Sequence, residues 1–422
     1  MNNGKIKIRG GKNKLKERRE VMRSKPKIIA FVVMVTVVVT LLVISGTPRV
    51  TAPTPIPKVQ KWTLTGQAFC GKANRLYELG EDFAYMIEKY TDGRVKINFH
   101  SAGEIVPAAE VYDAAGKGVI DFGQGCPCLA RSKCPALQMF CDVPGGQSPI
   151  EEVVWLYHGG GLKILQDLFE KHYHCHPLPM IAITTEIWIY SNKKIKTLDD
   201  LKGLKMRAAG MRAEVLKEMG ASVVILPGGE IVPAMEKGVI DAMEYSSLNC
   251  TYPLGFCDVV KYIYFHPKKA TSPINLWAVN LDVWNSFPKD IKEAIERASR
   301  DAFLRSLTWG MEQDFLTLKK AVEEKGVEVL YLPEDVARAV DEAAAEHYYK
   351  LAETDPEMKL ILDSWAKFKA EYNDYAPYMD EWTKTGDHLG LVKGPSELRI
   401  KIRISSSSLS GYPYGQPNKG KV

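Results

Sequence analysis

The chain has 422 residues, 45% of them apolar, enough to bury a large core divided between two lobes. Its formal charge of +5 sits at the ends: residues 1–27 carry +9 and residues 393–422 carry +5, which leaves −9 on residues 28–392. The body is acidic, and the segment after the basic N-terminus excludes nucleic acid as its partner in favour of a membrane surface.

That segment, Ile28 to Ile44, reads "IIAFVVMVTVVVTLLVI": 17 residues, no charge, two threonines. As a helix it spans roughly 26 Å, just under the usual bilayer core. A basic N-region over 1–27 keeps that end cytoplasmic and sends the remainder outward. Residues 28–44 are a transmembrane anchor or the apolar region of a signal peptide; Ser45 and Gly46 suit cleavage, and both readings stay open. A lipid anchor is excluded, because the first cysteine is Cys70. Four prolines make residues 45–58 a semi-extended linker, and the body is expected outside the cytoplasm, in the periplasm or on the outer face of the cell membrane.

Residues 59–180 read as lobe I. A strand over "VQKWTLTGQAF" precedes a helix with apolar positions Leu76, Leu79, Phe83 and Met86; Gly93 ends it, and "RVKINFH" alternates as a strand. A short helix through Val111 then leads into a strand at "VIDFGQG". Lobe II, residues 181–273, repeats the order: "GLKMR" strand, "MRAEVLKEMG" helix, "SVVILP" strand, "GGEIVPAMEKG" helix, "VIDAMEYS" strand. "GEIVPA" and "KGVID" recur in the same order in both halves, the latter at Lys117–Asp121 and Lys237–Asp241, so the lobes are expected to be related. Helices between short strands imply an α/β fold, with parallel sheets covered on both faces and a ligand cleft between the lobes. Residues 274–330 return to lobe I and form a connecting helix, 331–392 are C-terminal helices, and 393–422 is a disordered tail.

Eight cysteines in an oxidising compartment allow 105 pairings. Cys250 with Cys257 and Cys134 with Cys141 are the local candidates, buried free thiols the alternative. In "HYHCH", His172, His174 and His176 would share one face of a strand, a weak metal pattern with no matching cluster elsewhere. No nucleophile elbow, zinc-helix or phosphate-loop sequence is present.

Ligands of open sheets bind at the carboxyl ends of strands. Arg207 ends "GLKMR" and Glu244 ends "VIDAME", so both are expected on one edge facing the cleft. The planar fork of an arginine suits a carboxylate; pairing with a surface acid is the alternative. Gln67, Phe69 and Asn74 flank the end of the first strand, where Gln67 and Asn74 are either ligand donors or helix caps. Trp188 and Tyr245 either wall the pocket or belong to ordinary packing.

The stretches "SAGEIVP", "AGKGVIDFG", "IKTLDDLKGLKMRAAG", "EKGVIDAMEYS" and "WNSFPKDIKEAIERA" resemble the solute-binding proteins of tripartite ATP-independent periplasmic (TRAP) transporters, over about residues 59–375. "DLKGLKMR" is the most specific of them. The resemblance implies a two-lobed periplasmic-binding-protein-like fold that carries no catalysis, captures a small organic acid and delivers it to membrane permease subunits. It implies a salt bridge from Arg207 to the ligand carboxylate. In the branch for 2-oxo or 2-hydroxy monocarboxylates, such as lactate or pyruvate, a glutamine 21 residues before that arginine and a Glu-Trp pair about 37 after it bind a cation; here stand Glu186, Glu244 and Tyr245. Glu244 matches; Glu186 and Tyr245 depart. Two glutamates, Arg207 and a monocarboxylate sum to −2, which Ca²⁺ neutralises and Na⁺ does not. A cation on Glu186, Glu244 and Tyr245 is therefore expected, unless Glu186 points away. An extracellular sensing module and an enzyme using Glu186 and Glu244 as an acid/base pair are the competing readings, and a homodimer is left open.

Overall fold

The computed structural model describes residues 29–40, 60–141, 143–267 and 273–384, with side chains to residue 371. The expected basic N-region, the linker and the 393–422 tail lie outside the described residues, as do both ends of the 28–44 run. Residues 1–59 and 60–422 form two separate units. In the first, residues 29–40 are helical and exposed throughout. The Thr36 and Thr40 hydroxyls donate to the carbonyls four residues earlier, at 2.7 and 2.6 Å, so the helix consumes its own polar groups. None of the described helices is long and apolar enough to cross a membrane.

The second unit runs β1 (Trp62–Ala68), α1 (Arg75–Tyr90), β2 (Val95–His100), α2 (Val111–Gly116), β3 (Phe122–Gly125), α3 (Pro149–His158), α4 (Gly161–Tyr173) and β4 (Cys175–Ala182). It continues with β5 (Ile189–Ser191), β6 (Lys205–Arg207), α5 (Gly210–Glu218), β7 (Ser222–Val224), α6 (Gly228–Glu236), β8 (Ala242–Met243), α7 (Leu248–Thr251) and β9 (Tyr262–Phe265). It closes with β10 (Ile274–Asn280), α8 (Leu281–Ser286), α9 (Lys289–Glu323), β11 (Glu328–Tyr331), α10 (Glu334–Ala352) and α11 (Pro356–Lys384).

Two sheets result, in the orders β2-β1-β3-β10-β4 and β11-β9-β5-β8-β6-β7. Each begins as expected, with parallel pairs joined by helical crossovers: β1 with β2 and β3, β6 with β7 and β8. The all-parallel expectation is wrong, however. β10 runs antiparallel to both β3 and β4, and β5 antiparallel to both β8 and β9. These are the strands by which the chain passes between sheets, and a strand arriving from the other lobe need not enter in the parallel sense that a helical crossover imposes.

The first sheet packs Phe83, Ile87, Phe122, Trp277 and Ile295 into one apolar cluster under α1 and α9. A smaller cluster, with Ile187, Tyr190, Ile231, Met243, Phe256 and Ile263, fills one side of the second sheet. At 35 residues, α9 extends roughly 52 Å. It packs on β4 and α1 and contacts α7 further along, so it braces both lobes. Helix α11 buries Met358, Ile361, Leu362, Trp365 and Phe368, and Ser364 accepts a hydrogen bond from Trp155 Nε1 at 3.0 Å. His347 on α10 contacts Glu214 and Glu218 on α5.

All eight cysteines are free thiols, and the Cys134–Cys141 pairing expected from spacing is not formed. Cys134 Sγ donates to Glu357, whereas Cys141 lies against Cys126 and Cys128. Cys250 and Cys257 are buried in different apolar clusters. The three histidines do not share a strand face either. His172 is in α4 and contacts Glu357, His174 is a left-handed C-cap, and His176 on β4 stacks on Trp284 and contacts Glu170.

Candidate functional site

The two "KGVID" copies fold alike. In the first, Gly118 takes φ +70°, Val119 N–H donates to Ala114 at 2.9 Å and Asp121 N–H to Thr65 at 2.8 Å. In the second, Gly238 takes φ +68°, Val239 N–H donates to Ala234 at 2.9 Å and Asp241 N–H to Lys205 at 2.7 Å. Only glycine adopts such a φ without strain, and the turn it makes feeds a strand into the sheet.

Register then equates positions. Gly66 pairs with Phe122 and Gln67 with Gly123 in the first sheet; Met206 pairs with Ala242 and Arg207 with Met243 in the second. Arg207 therefore stands where lobe I has Gln67, and Glu244 stands where lobe I has Gln124. The same frame holds a neutral amide pair in one lobe and a charged pair in the other.

Arg207 is buried at the end of β6. Its Nη1 donates to the Glu244 carbonyl at 2.5 Å and to Glu244 Oε1 at 3.1 Å, and its Nε donates to the Leu226 carbonyl at 3.2 Å. Glu244 Oε1 also accepts from Ala209 N–H at 2.5 Å, at the start of α5. The guanidinium lies 5.2 Å from the centre of the Tyr245 ring. Arg207 thus pairs with a buried acid on its own wall, not with a surface one. Glu186 is buried: its backbone bridges to Ser247, and the next residue, Ile187, donates to Ser246 at 3.4 Å. Arg207 and Glu244 are thereby brought together, and the backbone of Glu186 pairs with Ser247, three residues past Glu244.

Tyr245 reaches across. Its ring lies against Phe256, its hydroxyl comes near the Asn74 side chain of lobe I, and burial pushes its pKa up to about 12 against the pull of Arg207. A Cβ on Gly228 would fall 2.6 Å from that hydroxyl, so the glycine opens the space the phenol occupies.

Other expectations fare differently. Asn74 is a helix cap, since its Oδ1 accepts from Leu76 N–H at 2.9 Å. Gln67 caps no helix, and its amide is engaged within lobe I. Its Nε2 donates to Val106 at 2.7 Å and its Oε1 accepts from Ile105 and Val106, so it staples the 103–106 loop. Phe69 is half-buried between two apolar clusters. Trp188 is core: it is buried, and its carbonyl accepts from Arg212 Nη1 at 2.9 Å with that guanidinium 5.6 Å from its ring.

Gln124 escaped the sequence reading. It is fully buried, its Nε2 donates to Leu76, and its Oε1 has no partner, as is also true of the neighbouring Trp277 Nε1 and Asn275 Oδ1. The signal that finds it is the repeat itself, three residues past the aspartate of "KGVID".

Residues 71–355 match the family of bacterial extracellular solute-binding proteins, family 7 (DctP). The chain is 29% identical over 293 residues to a monocarboxylate 2-oxoacid-binding periplasmic protein of Nostoc, covering 69% of this chain and 79% of that one. Its fold superposes with TM-score 0.72 on a TRAP transporter solute-binding protein of Bordetella bronchiseptica that carries copurified calcium and picolinate, at 26% identity over 78% of this chain and 99% of the other. It superposes with TM-score 0.73 on a TRAP periplasmic solute-binding protein of Colwellia psychrerythraea bound to calcium and pyruvate, at 24% identity over 78% and 100% of the chains.

Proposed function

The chain belongs to the bacterial extracellular solute-binding proteins of family 7, and from that premise we propose that its cleft binds a small 2-oxo or 2-hydroxy monocarboxylate together with Ca²⁺. Work outside the cytoplasm, as a substrate-binding component of a transporter, follows from the family. The observation that supports the ligand class is Arg207, a buried guanidinium at a strand end paired with the buried Glu244 carboxylate.

The donor set suits a hard cation. Glu186 and Glu244 offer carboxylate oxygens, Tyr245 a backbone carbonyl, and a 2-oxo acid supplies two more oxygens. Arg207 with the two glutamates leaves −1 in the wall before any ligand enters, so an anionic acid is repelled unless cationic charge accompanies it. Arg207 holds the ligand carboxylate through its planar fork, and a divalent ion cancels the remaining charge. The capture of pyruvate by the Colwellia protein and of picolinate by the Bordetella protein, both with calcium, supports this reading.

The test is titration of pyruvate into protein stripped with EDTA, then resupplied with Ca²⁺ or Na⁺. Affinity is expected to vanish on stripping and to return with Ca²⁺ only; undiminished affinity in stripped protein defeats the cation's role. Arg207→Met is expected to weaken binding at least about 100-fold, the cost of breaking a buried, hydrogen-bonded charge pair. Binding of the acid by Arg207→Met at full strength defeats the site assignment.

A further inference from the structure

Directly after Gln124, the first lobe carries "GCPCLARSKCPALQMFC", and three of its cysteines converge. The Sγ atoms of Cys126, Cys128 and Cys141 lie within 4.8 Å of one another, and those of Cys126 and Cys141 are 2.7 Å apart. Cys128 N–H donates to Cys141 Sγ at 2.9 Å. Pro127 stands between the first two and begins the short helix Pro127–Ser132, which stiffens the pair. All three thiols are half-buried, and Cys126 and Cys128 follow β3 at the places where Ser246 and Leu248 follow β8.

We propose that Cys126, Cys128 and Cys141 bind one soft, thiophilic metal ion of the Cu(I) class through three sulfurs. Three sulfurs around one ion at about 2.3 Å stand roughly 4 Å apart in a plane, within reach of this cluster by side-chain rotation. A three-sulfur set with no fourth side chain suits a trigonal ion better than a tetrahedral one, and among the described residues no fourth His, Cys, Asp or Glu joins it. An N–H aimed at a sulfur is also the outer contact that holds metal-bound thiolates. The thiol protons that the metal ion displaces leave to solvent.

The nearby Cys134, His172 and Glu357 are a weaker metal candidate. Lys171 and His172 already contact the Glu357 carboxylate, and Cys134 donates to it, so no ion is needed there.

The test uses the reduced full chain under anaerobic conditions, with Cu(I) delivered from a coloured competing chelator. One Cu(I) per chain is expected to leave the chelator for the wild type. Cys126→Ser, Cys128→Ser and Cys141→Ser are expected to lose at least the roughly 100-fold in affinity that even outer-sphere partners can account for. Cys257→Ser, a buried thiol of the other lobe, is expected to bind as the wild type does. Because a serine variant may fold poorly, a second measurement uses wild type alone: Cu(I) should protect these three cysteines from alkylation, read by peptide mass, and X-ray absorption should report a shell of three sulfurs. Equal Cu(I) binding by the serine variants, alkylation unaffected by Cu(I), a shell containing nitrogen or oxygen, or a native protein whose Cys141 is consumed in a disulfide would each overturn the proposal.

Discussion

Arg207 and Gln67 occupy one position of a repeated frame, and their difference puts a charged pair in one lobe and a neutral amide in the other. In lobe I the amide turns back to pin the 103–106 loop, so it is spent on structure. In lobe II the guanidinium keeps its place through Glu244, Leu226 and Tyr245. The meeting of Arg207 and Glu244 was legible in sequence because parallel strands bring their carboxyl ends to one edge of the sheet. The fate of Gln67 was not, because a loop folding back upon it is a tertiary event. Gly228 gives a residue-scale prediction. A methyl group there would sit 2.6 Å from the Tyr245 hydroxyl and 3.0 Å from its ring, displacing the phenol from Arg207 and Asn74. Overpacking of this kind costs about 1–3 kcal/mol. Gly228→Ala is accordingly expected to weaken pyruvate binding roughly tenfold by calorimetry, with a thermal midpoint changed only slightly; unchanged affinity would show that the phenol's position is immaterial.

Among the elements, the two repeated peptides part company. "KGVID" makes the same joint twice, but "GEIVPA" does not. At Gly103–Ala108 it is a turn held by Gln67, followed by a short helix at Ala108–Glu110, whereas at Gly229–Ala234 it lies within α6, with Pro233 inside the helix. Six identical residues thus take two structures, since local propensity is weak enough for a single buried amide to decide between them. Helix α3 supplies an element-scale prediction. Glu152 is buried where α3 faces α11, and burial raises its carboxyl from 4.5 to about 8, Lys369 opposing and Glu151 adding to the effect. A raised carboxyl binds its proton more tightly in the folded state. Its contribution is therefore complete below about pH 4.5 and is lost as pH rises through 8. Glu152→Gln is expected to match the wild type in thermal midpoint at pH 5 and exceed it at pH 8.5; parallel curves across that range would refute the assignment.

For the whole molecule, the contact between Asn74 and Tyr245 ties one lobe to the other across the cleft while β4, β10 and α9 carry the chain between them. Closure by a hinge requires contacts made only when the lobes meet. Tyr245→Phe removes the hydroxyl that reaches Asn74 and leaves the ring beside Arg207. It is expected to weaken ligand binding about threefold to tenfold, one hydrogen bond's worth, and to enlarge the liganded radius of gyration in X-ray scattering. Identical scattering and affinity would mean that this bond does not stabilise the closed form. Sequence alone was enough for the α/β class, the related halves, the strand-end arginine and acid, and the acidic body between basic ends. Each of these rests on periodicity, on repeated peptides or on counting charges, all of which are local. Tertiary structure decided the antiparallel crossings, the dispersal of the three histidines, the unpaired Cys134 and the meeting of Cys126, Cys128 and Cys141. Those depend on which distant segments become neighbours, and that is set by how two sheets and a long helix share one core, which no window along the chain contains.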